Sequence, residues 1–149
     1  MEKHISTHAA AAKAIRAEIK KLLPQIKAKV RSECFAGGNA VDVYVSDLCP
    51  AKQKLLKSII DKYQYGSFDG MTDCYDYDNK RDDIPQVKYT HLNLDISDQL
   101  TQEIEGFLKA RYDERYFLNE NMRTLVWRHY TDTESVFWEN RKEQAKCAS

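Results

Sequence analysis

Histidine is the side chain best suited to proton transfer near neutral pH, and this chain has four, His4, His8, His91 and His129. None stands in a recognisable constellation with a nucleophile, so no hydrolytic centre is legible and no enzyme is expected. His4 and His8 are four residues apart, a spacing that could hold a metal on a helix, but they lie at a chain end that should fray. A solvated terminus is the simpler account. His91 shares a strand face with Val87 and Tyr89 and reads as a hydrogen-bonded histidine at the edge of a core. Asp76, Asp78, Asp82 and Asp83 offer the oxygen donors that calcium takes, yet Lys80 falls on the next ligand position of an EF-hand loop and Arg81 replaces its glycine. Gly37-Gly38 joins two strands and lacks the Gly-Lys-Ser/Thr ending of a phosphate loop, so a hairpin turn explains it. Cys34, Cys49, Cys74 and Cys147 are scattered without a C-x-x-C pair and read as free thiols. No metal or cofactor is expected.

Two patterns survive as binding candidates. Lys27, Lys29 and Arg31 alternate along one face of a strand, and Lys13, Lys20 and Lys21 of the preceding helix add to them. Such a strip could neutralise phosphates, with Tyr44 of the partner strand stacking on a base. The plainer alternative is a wet sheet face whose lysines discourage edge pairing. The second pattern runs from Phe68 to Asp83. There Asp69, Asp73, Asp76 and Asp78 interleave with Tyr75 and Tyr77, which could imitate a nucleic-acid backbone or dock aromatic anchors onto a basic protein surface. Its plainer alternative is a solvated hairpin with the tyrosines packed beneath it. Trp127 and Trp138 read as core or interface anchors.

Elements that must position these residues follow from periodicity. After an N-cap at Ser6 or Thr7, Ala12, Ile15, Ile19 and Leu22 form a helical stripe that Pro24 stops. From Ile26 the period becomes two: Ile26, Ala28 and Val30 alternate with the three cations. Ala36-Gly37-Gly38-Asn39 reverses the chain into a second strand carried by Val41, Val43 and Val45. Pro50 opens a helix with inward Leu56, Ile59, Ile60 and Tyr63, and Gly66 reads as its left-handed stop. A strand from Phe68 to Asp78 and another from Val87 to Leu94 predict a second hairpin. Ser97 caps a helix carried by Leu100, Ile104, Phe107 and Leu108, with Gly106 weakening it. Met122, Leu125, Val126 and Tyr130 mark another, and Thr131 with Glu134 reads as a capping box for the last.

The expected class is therefore α+β, in the order α-β-β-α-β-β-α plus C-terminal helices. One antiparallel sheet of about four strands, two hairpins, should pack against the helices. The expected division is an α+β domain over residues 1–112 and a helical extension over 113–149 packed on it. With 42% hydrophobic and 31% charged residues the chain is globular rather than disordered. It lacks a long apolar run or a signal-peptide pattern, so no membrane partner and a cytoplasmic location are expected. Its zero net charge conceals segregation: residues 1–31 carry eight Lys or Arg against two Glu, and residues 66–105 carry ten Asp or Glu against three Lys or Arg. Opposite fields of that kind steer partners, although the two segments could also neutralise each other.

The sequence resembles the large polyvalent protein-associated domain 29 family over roughly residues 9–95. The likeness lies in Ala11-Ala12-Lys13-Ala14-Ile15-Arg16, in Val30-Arg31-Ser32, and in Phe35-Ala36-Gly37-Gly38-Asn39-Ala40-Val41-Asp42-Val43. It continues in Tyr63-Gln64, Phe68-Asp69-Gly70-Met71, Tyr75-Asp76-Tyr77 and Pro85-Gln86-Val87-Lys88-Tyr89. The resemblance implies a module carried by phages, plasmids or conjugative elements, alone or inside very large proteins delivered with the DNA, and it transfers no catalytic residue. The reading that follows is a non-enzymatic interaction module contacting a host protein and modulating a defence or nucleic-acid-processing complex. The alternative is direct nucleic-acid binding by the basic N-terminal helix and hairpin, through Lys20, Lys27, Lys29, Arg31 and Tyr44.

Overall fold

The computed structural model describes residues 6–132 and 135–147, with side chains as far as Arg141. The chain is mixed α and β and divides into two compact units. One comprises the residues up to Val45 together with Leu55–Asp95; the other comprises Ser46–Lys54 and the residues from Ile96 onward.

In the first unit, helix α1 spans Thr7–Leu22, an alanine-rich run of high helix propensity. Ser6 occupies the N-cap position without a side-chain cap bond. The buried stripe is Ala11, Ala12, Ile15 and Ile19, continued by Leu23 rather than by the expected Leu22, which is 48% exposed. Leu23 leaves the helical region at φ −132°, as a residue before proline must, and this turns it inward.

Strands β1 (Lys29–Phe35) and β2 (Gly38–Ser46) form the predicted antiparallel hairpin, in the register Lys29↔Tyr44, Val30↔Val43 and Arg31↔Asp42. The reversal is a two-residue turn, Ala36-Gly37, with Gly37 at φ +98°. Val41, Val43 and Val45 are buried, and α1 packs on β1.

Helix α2 (Pro50–Asp61) begins at the predicted proline, and Leu56, Ile59, Ile60 and Tyr63 are buried as expected. It ends five residues before Gly66, which is therefore not its stop. A Cβ on Gly66 would lie 2.1 Å from the Asp76 carbonyl oxygen, so the glycine serves the close approach of another strand.

The second half of the expected sheet differs. The stretch read as one strand folds on itself as a small hairpin, β3 (Ser67–Asp69) with β4 (Cys74–Asp76), forming a separate two-stranded sheet. Strand β5 (Tyr89–Asp95) instead joins the first hairpin, in the order β1-β2-β5, so the single four-stranded sheet is replaced by three strands and two. The Lys88 amide donates to Asn39 Oδ1 and His91 meets Asp42, so the contacts advance together along both strands and β5 runs parallel to β2. Two local preferences explain the outcome: Asp69 builds a tight turn within the supposed strand, and α2 supplies the crossover that a parallel pair needs.

The second unit contains the first turn of α2, helix α3 (Asp98–Arg111), a 3-10 turn (Glu114–Phe117), α4 (Met122–Thr131) and α5 (Val136–Cys147). Ser97 caps α3 as predicted, its Oγ accepting from the Leu100 amide, and Leu100, Ile104 and Leu108 are buried. Leu125, Val126 and Tyr130 are buried on α4. Thr131 is the last residue of α4, while Glu134, the other half of the expected capping box, lies outside the described residues. The cap bond of α5 comes from Ser135, whose Oγ accepts from the Phe137 amide. Tyr130 ties the unit together: its hydroxyl accepts from the Leu48 amide, and its carbonyl accepts from Gln53 and from the Trp138 indole. Trp138 is buried, whereas Trp127 is 45% exposed. No helix among the described residues is long and apolar enough to cross a membrane.

Candidate functional site

Three basic residues of the first unit, Arg16, Lys20 and Lys27, are gathered around one cleft. Arg16 and Lys20 are one turn apart on α1, and the segment after Pro24 returns beside that turn so that Lys27 joins them. Together they line a shallow cleft of about 440 Å³ with Ile19, Pro24, Ile26, Ala28 and Val30. The Arg16 guanidinium donates to the Val30 carbonyl at 2.7 Å, which fixes its direction. Lys29, Arg31 and Tyr44 lie on the outward face of the hairpin, with Tyr44 directly across from Lys29 and 40% exposed.

Arg31 faces Asp42, so the positive strip ends there. Asp42 Oδ1 lies 2.7 Å from His91 Nδ1, and since the carboxylate can only accept, that nitrogen carries the proton. His91 is thus hydrogen-bonded as expected, but it is exposed on the outer face and stacked on Tyr89 rather than set at a core edge. The one acid of α1, Glu18, is held by Lys62 and by the Tyr63 hydroxyl at 2.6 Å. Burial pushes its carboxyl up, but those hydrogen bonds and the Lys62 and Lys21 charges outweigh burial and hold it below the usual range.

The acidic and aromatic segment separates into structural and open residues. Asp69 accepts from the Met71 amide at 2.9 Å and from Thr72 Oγ1 at 3.0 Å; these bonds, the amide first, lower its pKa and make it the builder of the β3–β4 turn. The turn closes through Asp73 at φ +54°. Asp78 accepts from Ser67 Oγ.

Tyr75 meets Tyr65, Tyr77 and Tyr89 edge-on at centroid distances of 5.8, 5.3 and 5.8 Å, and Tyr77 stacks on Tyr65 at 5.5 Å. The Tyr75 hydroxyl donates to the Lys88 carbonyl; burial first, then the neighbouring tyrosines and Asp78, push its pKa up to about 12. The Lys88 ammonium sits 5.1 Å from the Tyr75 ring centre and 5.6 Å from that of Tyr89, and donates to the Gly37 carbonyl. Tyr75 is therefore packed while Tyr77 stays 65% exposed, a distinction that the sequence pattern did not make. The carboxylates of Asp73 and Asp76 are exposed and take part in no side-chain hydrogen bond or ion pair among the described residues.

Several positioning residues escaped sequence reasoning. Gln64 bonds the Gly66 carbonyl and the Thr90 amide; buried Gln86 bonds the Lys62 and Asn79 carbonyls; Asn79 reaches back to Asp61 and Gln64. They hold the acidic loop to the end of α2, and isolated amide side chains give no periodic signal.

In the second unit, buried His129 links Ser135 Oγ and the Tyr116 hydroxyl, each at 2.8 Å. Burial, helped by Arg128 and opposed by Asp132, lowers its pKa. The order hydroxyl, imidazole, hydroxyl has the form of an activated nucleophile, but Ser135 is only 3% exposed and caps α5. The chain of bonds joins the 3-10 turn, α4 and the start of α5.

Among known proteins, neither the curated sequences nor the solved structures contain a match. A family model does match, over residues 6–101, a span that takes in α1 through the first turn of α3 and both candidate surfaces. On that match the chain belongs to the large polyvalent protein associated domain 29 family.

Proposed function

We propose that this chain is a non-enzymatic interaction module of a phage, plasmid or conjugative element, acting by contact with a host protein in a defence or nucleic-acid-processing complex. Family membership supports the mobile-element setting. The contact reading rests on the Tyr77 ring, open to solvent yet held by Tyr65 and Tyr75. A ring already fixed by its neighbours loses little rotamer freedom on docking, and tyrosines of this kind anchor protein interfaces. Asp73 and Asp76 on the same segment give a negative rim that selects a basic partner surface.

The test is capture from nuclease-treated host lysate with matched variants. A defined partner should survive nuclease and lose about tenfold or more in affinity with Tyr77→Ala, within the range of an aromatic hot spot. Capture that disappears with nuclease, or that is indifferent to Tyr77→Ala and to Asp73→Asn with Asp76→Asn, defeats the reading.

A second reading, direct nucleic-acid binding by the N-terminal helix and hairpin, is supported by the register that sets Tyr44 across from Lys29. It requires affinity that falls steeply with added salt.

A further inference from the structure

The cleft beside α1 is a surface of one sign. Arg16, Lys20 and Lys27 line it, its remaining lining is Ile19, Pro24, Ile26, Ala28 and Val30, and no carboxylate takes part. Glu18, the one acid of α1, is two residues from both Arg16 and Lys20 and so off their helix face, where Lys62 and Tyr63 engage it. Lys20 and Lys27 form no salt bridge among the described residues, so their charges are not already spent. Past the cleft, Lys29 and Arg31 project outward about 6.6 Å apart along β1. That stride suits successive phosphates of an unstacked strand, and Tyr44 stands beside the first of the two cations.

Three cations around an apolar floor favour an anion joined to a flat, weakly polar ring. A bare inorganic anion would leave the floor in water. An acidic peptide would satisfy the charges, but its carboxylates come without the ring that every nucleotide phosphate brings to the floor and to Tyr44. Paired bases are stacked within their duplex and could reach neither the floor nor the tyrosine.

We propose that the cleft anchors unpaired nucleotides of a single-stranded nucleic acid. Arg16, Lys20 and Lys27 hold backbone phosphate, a base lies on Pro24, Ile26 and Ala28, and the strand continues over Lys29 towards Arg31 with a base on Tyr44. Asp42, across from Arg31, ends the path by repulsion. The proposal rests on the nucleic-acid reading and narrows it to single strands and to this cleft.

Fluorescence anisotropy with a labelled oligothymidylate of about 10 nucleotides, a length within single-strand site sizes, provides the test. A duplex of the same length, an oligoglutamate and inorganic phosphate serve as competitors. The single strand should bind, and the duplex and oligoglutamate should compete poorly. Lys20→Ala with Lys27→Ala should flatten the log–log salt slope by about 1.4, at about 0.7 per lost phosphate contact. Tyr44→Ala should weaken binding by about tenfold and leave that slope unchanged.

Equal binding of duplex or oligoglutamate overturns the proposal. So does binding that ignores Lys20→Ala with Lys27→Ala but is lost with Lys29→Ala and Arg31→Ala, a result that leaves the broader hairpin reading standing. No binding to any nucleic acid ends both. Circular dichroism of each variant separates a lost site from a lost fold.

Discussion

Gly66 has no room for a side chain: a Cβ would lie 2.1 Å from the Asp76 carbonyl and 2.5 Å from the Tyr75 ring. Backbone cannot yield as a flexible side chain can, so Gly66→Ala should cost about 2–3 kcal/mol in chemical denaturation. Gly70→Ala, with nothing within 4 Å of the added methyl, should be close to neutral. Buried His129 makes a pH-dependent contribution. Its folded pKa lies below the ordinary 6.5, so the native state resists protonation and the unfolded chain accepts it more readily. Stability should be fully present above about pH 6.5 and fall as pH drops through the folded pKa, and His129→Gln should flatten that fall in denaturation midpoints measured across pH. At this scale the sequence identified charge but not its use. Lys29 and Arg31 alternate along β1 as read, but Lys27, expected on the same strand face, precedes β1 and lines the cleft beside α1. The diversion of Asp69 into a turn and of Asp42 onto His91 depends on partners that no spacing discloses.

Helices and the first hairpin could be read from the sequence because their signals are local. Val41, Val43 and Val45 alternate, Ser97 precedes a helical stripe, and Pro50 opens α2. Two glycines test the local physics in opposite directions. Gly37 at φ +98° has open space around it, so Gly37→Ala should cost about 1–2 kcal/mol through backbone strain alone. Gly106 is an exposed position within α3 with equally open space, and Gly106→Ala should add about 1 kcal/mol to the stability of the second unit. Both can be measured by urea denaturation. The pairing of β5 with β2 was not legible because a parallel partner is chosen across the α2 crossover, while sequence proximity favours the preceding strand. Glutamine and asparagine bonds from Gln64, Asn79 and Gln86 then fix the intervening loop.

At the scale of the whole molecule, the second unit is discontinuous in sequence. Gln53 and Leu48, which precede or open α2, hydrogen-bond to Tyr130 of α4. A chain cut after Arg111 would leave those groups without their partner and uncover Leu100, Ile104 and Leu108. It should bind a hydrophobic dye and melt with reduced cooperativity, and a sharp, dye-free transition would contradict this. The distribution of aromatic residues also provides natural optical labels. Both tryptophans, Trp127 and Trp138, belong to the second unit, while the first has no indole and carries six of the nine tyrosines. Selective indole excitation therefore reports unfolding of the second unit without any engineered probe.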